Sequence, residues 1–325
     1  MDTKAQRRKD LENRKIDYKA ALEKLNSNPN LRKLPEEEKR IIIDNILLAP
    51  FLDLTDDFAF KKVLGHNADI LRVLLSDILD EDIIEVTYES NEIPVLAEDD
   101  KHARFDVNCT LKDGRKFIVE MQNRNEKDIH QRLFYYGAAL TASQIKKGAP
   151  YIDLRPTYVI AFLNFEQTHL LLKDNKVVFC YSLKEMETGE HYESDPLLIY
   201  LCEMPRLNKG IQELDTPVEK WLYILRNCSK FAPEEQEAFG KRYAELFTQA
   251  RTKHLTEEEL MEYFDSKITA YRARMLQEAS YDEGFKAGEV KSKAEIAMAM
   301  LAKGYDPATV QELTGLAAEE IEALK

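Results

Sequence analysis

Two acidic residues and one amide stand at corresponding positions of two neighbouring segments in which every second residue is apolar. Asp106 belongs to the first segment, and Glu120 and Gln122 belong to the second. Because side chains alternate between the faces of a strand, these polar residues should share one face and the apolar residues the other. The apolar residues are Phe105, Val107, Cys109, Leu111, Phe117, Val119 and Met121. Paired carboxylates can bind a hard cation such as Mg²⁺, which activates water and stabilises charge on a phosphate.

The turn between the two segments decides which residues lie opposite each other. A two-residue turn at Asp113 and Gly114 would place Asp106 opposite Met121 and mix polar with apolar side chains. A three-residue loop at 112–114 places Asp106 opposite Glu120 and ends in a glycine, which suits the left-handed position of such loops. We therefore predict the three-residue loop. Two carboxylates ~5 Å apart repel by about 3 kcal/mol at an effective dielectric near 20, so a cation or a basic side chain should lie beside them.

Spacing alone leaves a second interpretation open. Polar residues also face each other on the solvated side of an amphipathic hairpin, where they have no chemical role. The sequence pattern by itself does not choose between a cation site and such a solvated face.

A resemblance to a known family favours the cation site. The segment from Phe117 to Gln122, with Asp106 one strand earlier, resembles the motif of the PD-(D/E)XK nuclease superfamily. The branch that it resembles contains recombination-promoting nucleases, also described as PD-(D/E)XK nuclease family transposases. The proline-aspartate of the superfamily name is Phe105-Asp106 here, and its lysine is Gln122, as is usual in this branch.

Two further matches accompany the hairpin. Asp57 and Lys61 fit the Asp-x-x-Phe-Lys signature of the branch, and Arg132 and Tyr136 belong to a match at 131–136 on the following helix. Lysine and arginine side chains on helices are commonly solvated, and Asp57 precedes an apolar periodic run where it could instead cap a helix. These alternatives stay open at the level of sequence.

The resemblance implies metal-dependent hydrolysis of DNA phosphodiester bonds. Asp106 and Glu120 would hold Mg²⁺, or alternatively Mn²⁺, and Gln122 would orient the attacking water or a phosphate oxygen. Asp57 would assist as an acid on the first helix. The side chains expected to contact phosphate or brace the carboxylates are Lys61, Arg132 and Tyr136.

Charge is unevenly distributed along the chain. The 325 residues carry a net charge of −13, yet residues 101–150 hold ten lysine and arginine residues against five aspartate and glutamate residues. A basic strip beside a carboxylate site suits a DNA backbone, although windows of this length also vary in charge by chance. Dispersed cysteines and the lack of a long apolar or secretory segment predict a cytoplasmic protein that does not enter a membrane.

The expected order of elements, a helix, three strands, a helix and a strand, is the core topology of the family that the chain resembles. The resemblance therefore implies an α/β restriction-endonuclease-like core, with helical additions at both ends. Helices are expected at 4–25, 35–48, 56–65, 68–80 and 128–146, and strands at 83–88, 158–165 and 177–182, with a loop at 98–101. The expected domains are a helical N-terminal extension (1–48), the nuclease domain (49–215), a helical segment docking on it through Trp221 (216–280), and a small helical unit (281–325).

The C-terminal unit has the pattern of a helix-turn-helix, with helices expected at 294–302, 307–313 and 317–324. Its last helix carries Glu319, Glu320 and Glu322, whereas phosphate contact requires positive charge. We therefore expect this region to support a homo-oligomer or to dock a partner. The alternative function for the whole chain is a catalytically inactive nuclease-like module that binds or regulates, which Gln122 in place of lysine and the overall acidity favour.

Overall fold

The computed structural model describes residue 9 and residues 18–29, 31–93, 103–145, 148–167, 176–193 and 195–323, with side chains described outside 277–287 and 290. The predicted loop at 98–101 lies outside the described residues. The chain divides into two units, residues 1–267 and residues 268–325. All of the predicted site residues lie in the first unit.

A mixed β-sheet forms the centre of the first unit. The strands are β1 (Val86–Tyr88), β2 (Glu92–Ile93), β3 (Ala103–Arg104), β4 (Val107–Leu111), β5 (Lys116–Gln122), β6 (Thr157–Leu163), β7 (Val178–Tyr181) and β8 (Leu197–Glu203). Among the described residues, the larger sheet has six strands in the order β1-β4-β5-β6-β8-β7, and β2 pairs with β3. Strands β5, β6 and β8 are parallel, and the other pairs are antiparallel.

Helices cover the sheet and extend the chain at both ends. They are α1 (Tyr18–Ser27), α2 (Glu36–Leu47), α3 (Asp57–Leu64), α4 (Ala68–Leu79), α5 (Ile129–Ser143), α6 (Pro217–Asn227), α7 (Ala244–Gln249), α8 (Glu257–Ala302), α9 (Pro307–Thr314) and α10 (Ala318–Glu322). The order α4, β1, β4, β5, α5, β6 confirms the predicted arrangement of a helix, three strands, a helix and a strand. Of the helix predicted at 4–25, the structure describes α1.

The turn between β4 and β5 is the predicted three-residue loop. Cys109 lies opposite Phe117, which leaves residues 112–114 between the paired strands. Gly114 has a φ of 92°, a left-handed conformation in which a side chain would be strained. The position of this glycine therefore fixes the register that places the two acids side by side.

The predicted faces of the hairpin need two corrections. The face that carries Glu120 is not solvated, because α5 covers it and Ile118 is fully buried there. Phe105 also lies on this face, where its ring contacts the ring of Tyr136 edge-on at a centroid distance of 5.2 Å. Residues 105 and 106 belong to neither β3 nor β4, so strict alternation does not extend through them.

Both faces of the sheet are packed by helices whose apolar residues recur at helical spacing. On one face, Phe60 of α3 meets Phe162 of β6 with ring centroids 6.3 Å apart. On the other face, α5 buries one stripe against the sheet, made of Ile129, Leu133, Gly137 and Leu140. The two helices therefore reach the hairpin from opposite sides.

Strand β8 is absent from the sequence prediction. Its residues form a nearly continuous apolar run, which is typical of a strand in a parallel sheet but does not exclude a buried helix. In the structure β8 lies between β6 and β7. The predicted strand at 177–182 is confirmed as β7, at the edge of the sheet.

Trp221 of α6 packs against α4 of the first unit. Its side chain is buried, and its indole N–H donates to Oδ2 of Asp77 in α4 at 2.7 Å. Arg242 also pairs with Asp77, at 2.5 Å. Two donors therefore compensate the buried carboxylate at this contact.

The second unit is helical and has a small core of its own. Ala297 of α8, Val310 of α9 and Ile321 of α10 are buried together. Asp306 caps α9, which begins at Pro307, the predicted first residue of that helix. In the described part of the chain, no helix is both long and apolar enough to cross a membrane.

Candidate active site

Asp106 and Glu120 hold each other's strand by reciprocal hydrogen bonds. The backbone N–H of Asp106 donates to Oε1 of Glu120 at 3.0 Å, and the N–H of Met121 donates to Oδ2 of Asp106 at 2.9 Å. The backbone N–H of Asp106 therefore donates to a side-chain oxygen. The predicted proximity of the two acids is confirmed, and each carboxylate is oriented by the opposite strand.

Burial makes this pair difficult to ionise. Glu120 is 3% exposed, and burial, with the neighbouring charge of Asp106, raises the pKa of Glu120 to about 8. Burial also raises the pKa of Asp106, although the Met121 N–H and the ammonium of Lys61 oppose the rise. Two carboxylates this close titrate as a pair. A nearby positive charge favours their ionised forms.

Helix α3 supplies one positive charge. The Nζ atom of Lys61 lies 3.3 Å from Oδ1 of Asp106 and 2.6 Å from Oδ1 of Asp57. Burial would lower the pKa of Lys61, but its hydrogen bond to Asp57 and the charge of Asp106 outweigh burial and raise it. The ammonium therefore stays charged beside the carboxylate pair.

The helix-cap interpretation of Asp57 is wrong. The cap of α3 is Asp56, whose Oδ1 accepts two backbone N–H groups of the first turn. Asp57 is the first residue of the helix, and its largely exposed side chain pairs with Lys61 one turn later. Asp57 is therefore linked to the carboxylate pair through Lys61, which contacts both Asp57 and Asp106.

Gln122 connects the pair to a second positive charge, on α5. Its Nε2 donates to Oε2 of Glu120 at 2.9 Å, and its Oε1 accepts from Arg132. Arg132 also pairs with Glu126. Among the described residues, the buried Nε of Arg132 has no hydrogen-bond partner. Neither Lys61 nor Arg132 is a solvated helix side chain, because both point to the hairpin.

Tyr136 lies one helical turn after Arg132. Burial raises the pKa of Tyr136, and the charge of Glu120 adds to the rise. The hydroxyl thus remains a neutral phenol close to the carboxylates. The structure brings all seven predicted residues to one end of the hairpin, between α3 and α5.

Sequence reasoning assigned no role to Asn123. Its Nδ2 donates to the carbonyl of Thr55, and its Oδ1 accepts from Nδ2 of Asn164 at 3.1 Å. These contacts join the ends of β5 and β6 to the loop before α3. Their position in the sequence could have indicated this role, because both asparagines directly follow apolar strands that end at the same sheet edge.

The donors fit a hard divalent cation that keeps much of its water. Asp106 and Glu120 offer carboxylate oxygens, the ligand type that Mg²⁺ prefers. In the described part of the chain, no three or more histidine, cysteine, aspartate or glutamate side chains are grouped closely enough to hold a metal by themselves. Water or substrate would therefore complete the shell, as is usual for Mg²⁺. A cation would also relieve the unfavourable ionisation of Glu120.

Comparison with known proteins gives two matches. A family model described as PD-(D/E)XK nuclease family transposase matches residues 54–279, which is more than half of the chain. A second model, described as the C-terminal HTH domain of the Rpn/YhgA-like nuclease family, matches residues 291–325. The helix-turn-helix pattern predicted for the tail is thereby confirmed. No curated protein and no solved structure matches the chain.

Proposed function

This chain belongs to the PD-(D/E)XK nuclease family transposases, and from that membership and its site we propose that it is a divalent-metal-dependent endonuclease hydrolysing DNA phosphodiester bonds. The observation that carries the proposal is the pair of a half-buried Asp106 and a buried Glu120, which are oriented by reciprocal hydrogen bonds. Burial of two adjacent acids is unfavourable without a compensating cation. The presence of both acids at this site therefore supports binding of a cation there.

Asp106 and Glu120 would hold Mg²⁺ or Mn²⁺. When bound, the cation would activate water and stabilise negative charge on the phosphate. Gln122 has one N–H on Glu120 and a second amide hydrogen available. We assign that hydrogen to orienting the water or a phosphate oxygen.

Lys61 and Arg132 would together supply the charge that the superfamily's lysine provides elsewhere. Lys61 approaches Asp106 directly, whereas Arg132 approaches through Gln122. Asp57 would keep Lys61 oriented, and Tyr136 would donate its hydroxyl to a phosphate oxygen or brace the carboxylates. Two fixed cations near developing charge are a recurring means of stabilising phosphoryl transfer.

DNA would meet the basic region at 101–150. We assign the acidic C-terminal helix α10 to self-association or to a docking partner, because Glu319, Glu320 and Glu322 are exposed there. The four cysteines form no disulfide, which agrees with action in the reducing cytoplasm.

Cleavage of supercoiled plasmid by the purified full chain tests the proposal. Wild type is compared with Asp106→Ala and Glu120→Ala in Mg²⁺, Mn²⁺ or EDTA. The matched control is Asp113→Ala, which removes an exposed acid from the turn of the same hairpin. We expect metal-dependent nicking that both site variants lose and the control keeps. Nicking that survives both site substitutions would place the activity elsewhere.

A second candidate is the inactive nuclease-like module. The contact of Lys61 with Asp106 favours it, because a lysine can neutralise a carboxylate without any metal. A module that has lost catalysis need not keep a cation site. Absence of both cleavage and Mg²⁺ or Mn²⁺ binding, measured by calorimetry, would favour this candidate.

A further inference from the structure

The loop before α3 is held by the first turns of α8, a helix more than 200 residues later in the chain. Nζ of Lys267 lies 2.6 Å from Oδ2 of Asp53, and Oγ of Ser266 donates to Oδ2 of Asp56 at 2.9 Å. The N–H of Asp53 donates to the hydroxyl of Tyr263 at 2.9 Å. Three side chains on consecutive turns of one helix therefore bind one short loop.

The two acids of this loop are poorly hydrated and depend on these partners. Asp56 is 4% exposed. Burial acts to raise the pKa of Asp53, but Lys267 together with the hydrogen bonds from Thr55 outweighs burial and holds the pKa below its usual value. A buried carboxylate is costly unless it is paired or hydrogen-bonded. Loss of either partner should therefore displace the loop.

The same loop determines where α3 begins. One oxygen of Asp56 caps α3, while its other oxygen is held by Ser266. One turn into α3, Lys61 contacts Asp106 of the hairpin. The opposite side of the loop is bound by Asn123, next to Gln122. The loop thus connects α8 with the site residues on α3 and with those on the hairpin.

We infer that Ser266 and Lys267 are positioning residues, which hold Lys61 against Asp106 through the loop before α3. The first turns of α8 are thereby part of the scaffold of the active site. The catalytic consequence rests on the proposed nuclease function, whereas the placement of Lys61 does not. Small displacements of a catalytic group lower the rate steeply, by about 100-fold for ~1 Å.

Cleavage kinetics on the full chain test the catalytic consequence. Ser266→Ala and Lys267→Met should each lower kcat by about tenfold with KM unchanged. The conservative variants Ser266→Thr and Lys267→Arg should restore most of the rate. The matched control is Ser292→Ala, which alters an exposed serine on the same helix.

A double-mutant cycle separates positioning from general stability. In a Lys61→Met background, Ser266→Ala should cause no further loss of kcat, because the group that it positions is already absent. If the two losses simply multiply, Ser266 does not act through Lys61 and the inference is overturned.

A second readout does not depend on activity. Acetic anhydride labelling, followed by mass spectrometry, reports how firmly the Lys61 ammonium is held in the metal-free chain. Lys61 should react several-fold faster in Ser266→Ala and Lys267→Met, while Lys209, which pairs with Asp215 and Glu219, reacts as in wild type. Unchanged reactivity of Lys61 overturns the inference. Faster labelling in a chain without any nuclease activity would support the positioning role and contradict the proposed function.

Discussion

Lys61 should oppose metal binding while promoting cleavage. Its ammonium lies 3.3 Å from Oδ1 of Asp106, one of the two proposed ligands. A divalent cation on that carboxylate would be repelled by the ammonium. Replacing Lys61 with methionine removes the charge and retains much of the apolar stem. The variant should therefore bind Mg²⁺ more tightly and cleave DNA more slowly.

The size of the effect follows from Coulomb's law. One charge and two charges separated by ~6 Å interact by about 1.4 kcal/mol in a water-like medium and by about 5.5 kcal/mol at an effective dielectric of 20. The side chain of Lys61 is 33% exposed, so solvent screening favours the lower figure. We expect Mg²⁺ affinity to increase by about tenfold, which corresponds to roughly 1.4 kcal/mol.

Calorimetric titration with Mg²⁺ measures this change. It should be done near pH 9, since loss of Lys61 raises the pKa of Glu120 further above about 8 and proton competition would mask the gain. Plasmid cleavage by the same protein should be about 100-fold slower, a loss of the size that follows removal of one group stabilising transition-state charge. The matched control is Lys112→Met, which removes an exposed charge from the turn of the hairpin and should change neither quantity. Weaker Mg²⁺ binding, or unchanged cleavage, in Lys61→Met would refute this reasoning.

Three further predictions concern pH and the backbone. Mg²⁺ affinity of the wild type should rise with pH and level off above about 8, because Glu120 must release its proton. A calorimetric affinity that stays constant from about pH 6 to about pH 9 would contradict this. Burial raises the pKa of Asp56 from 3.8 to about 6, so between these values the folded chain binds the proton that the unfolded chain has released. Stability should thus fall by roughly 3 kcal/mol as pH rises from about 4 to above 6. Asp56→Asn keeps a capping oxygen and should flatten this fall in urea unfolding, whereas an unchanged slope would assign it to another group. Gly114→Ala should lower the free energy of unfolding by about 1–2 kcal/mol because φ is 92°, and Gly114→Asn should cost less; equal stability of all three would argue against the left-handed turn.

Local pattern was sufficient to predict the hairpin. The alternation of apolar residues and the position of Gly114 together select one register, and that register places Asp106 beside Glu120. The resemblance then directed attention to Lys61 and Arg132, and both contact the site. The contacts are within reach of prediction because the hairpin and its flanking helices are consecutive in sequence.

Features that depend on tertiary packing were less accessible. Phe105 fits the alternation, but a break in the strand turns it toward α5. Asp56 and Asp57 are chemically equivalent candidates for the cap of α3, and only the direction of the chain entering the helix decides between them. The support given by Ser266 and Lys267 joins segments more than 200 residues apart. No local pattern contains that information.

Divalent-ion binding by the folded chain is the most direct test of the central claim. Mg²⁺ titration of the wild type at about pH 9, above the raised pKa of Glu120, is compared with Asp106→Ala, Glu120→Ala and the control Asp113→Ala. We predict binding by the wild type and the control, and its loss in both site variants. Binding that persists in both site variants, or is absent from the wild type, would contradict a metal site formed by Asp106 and Glu120.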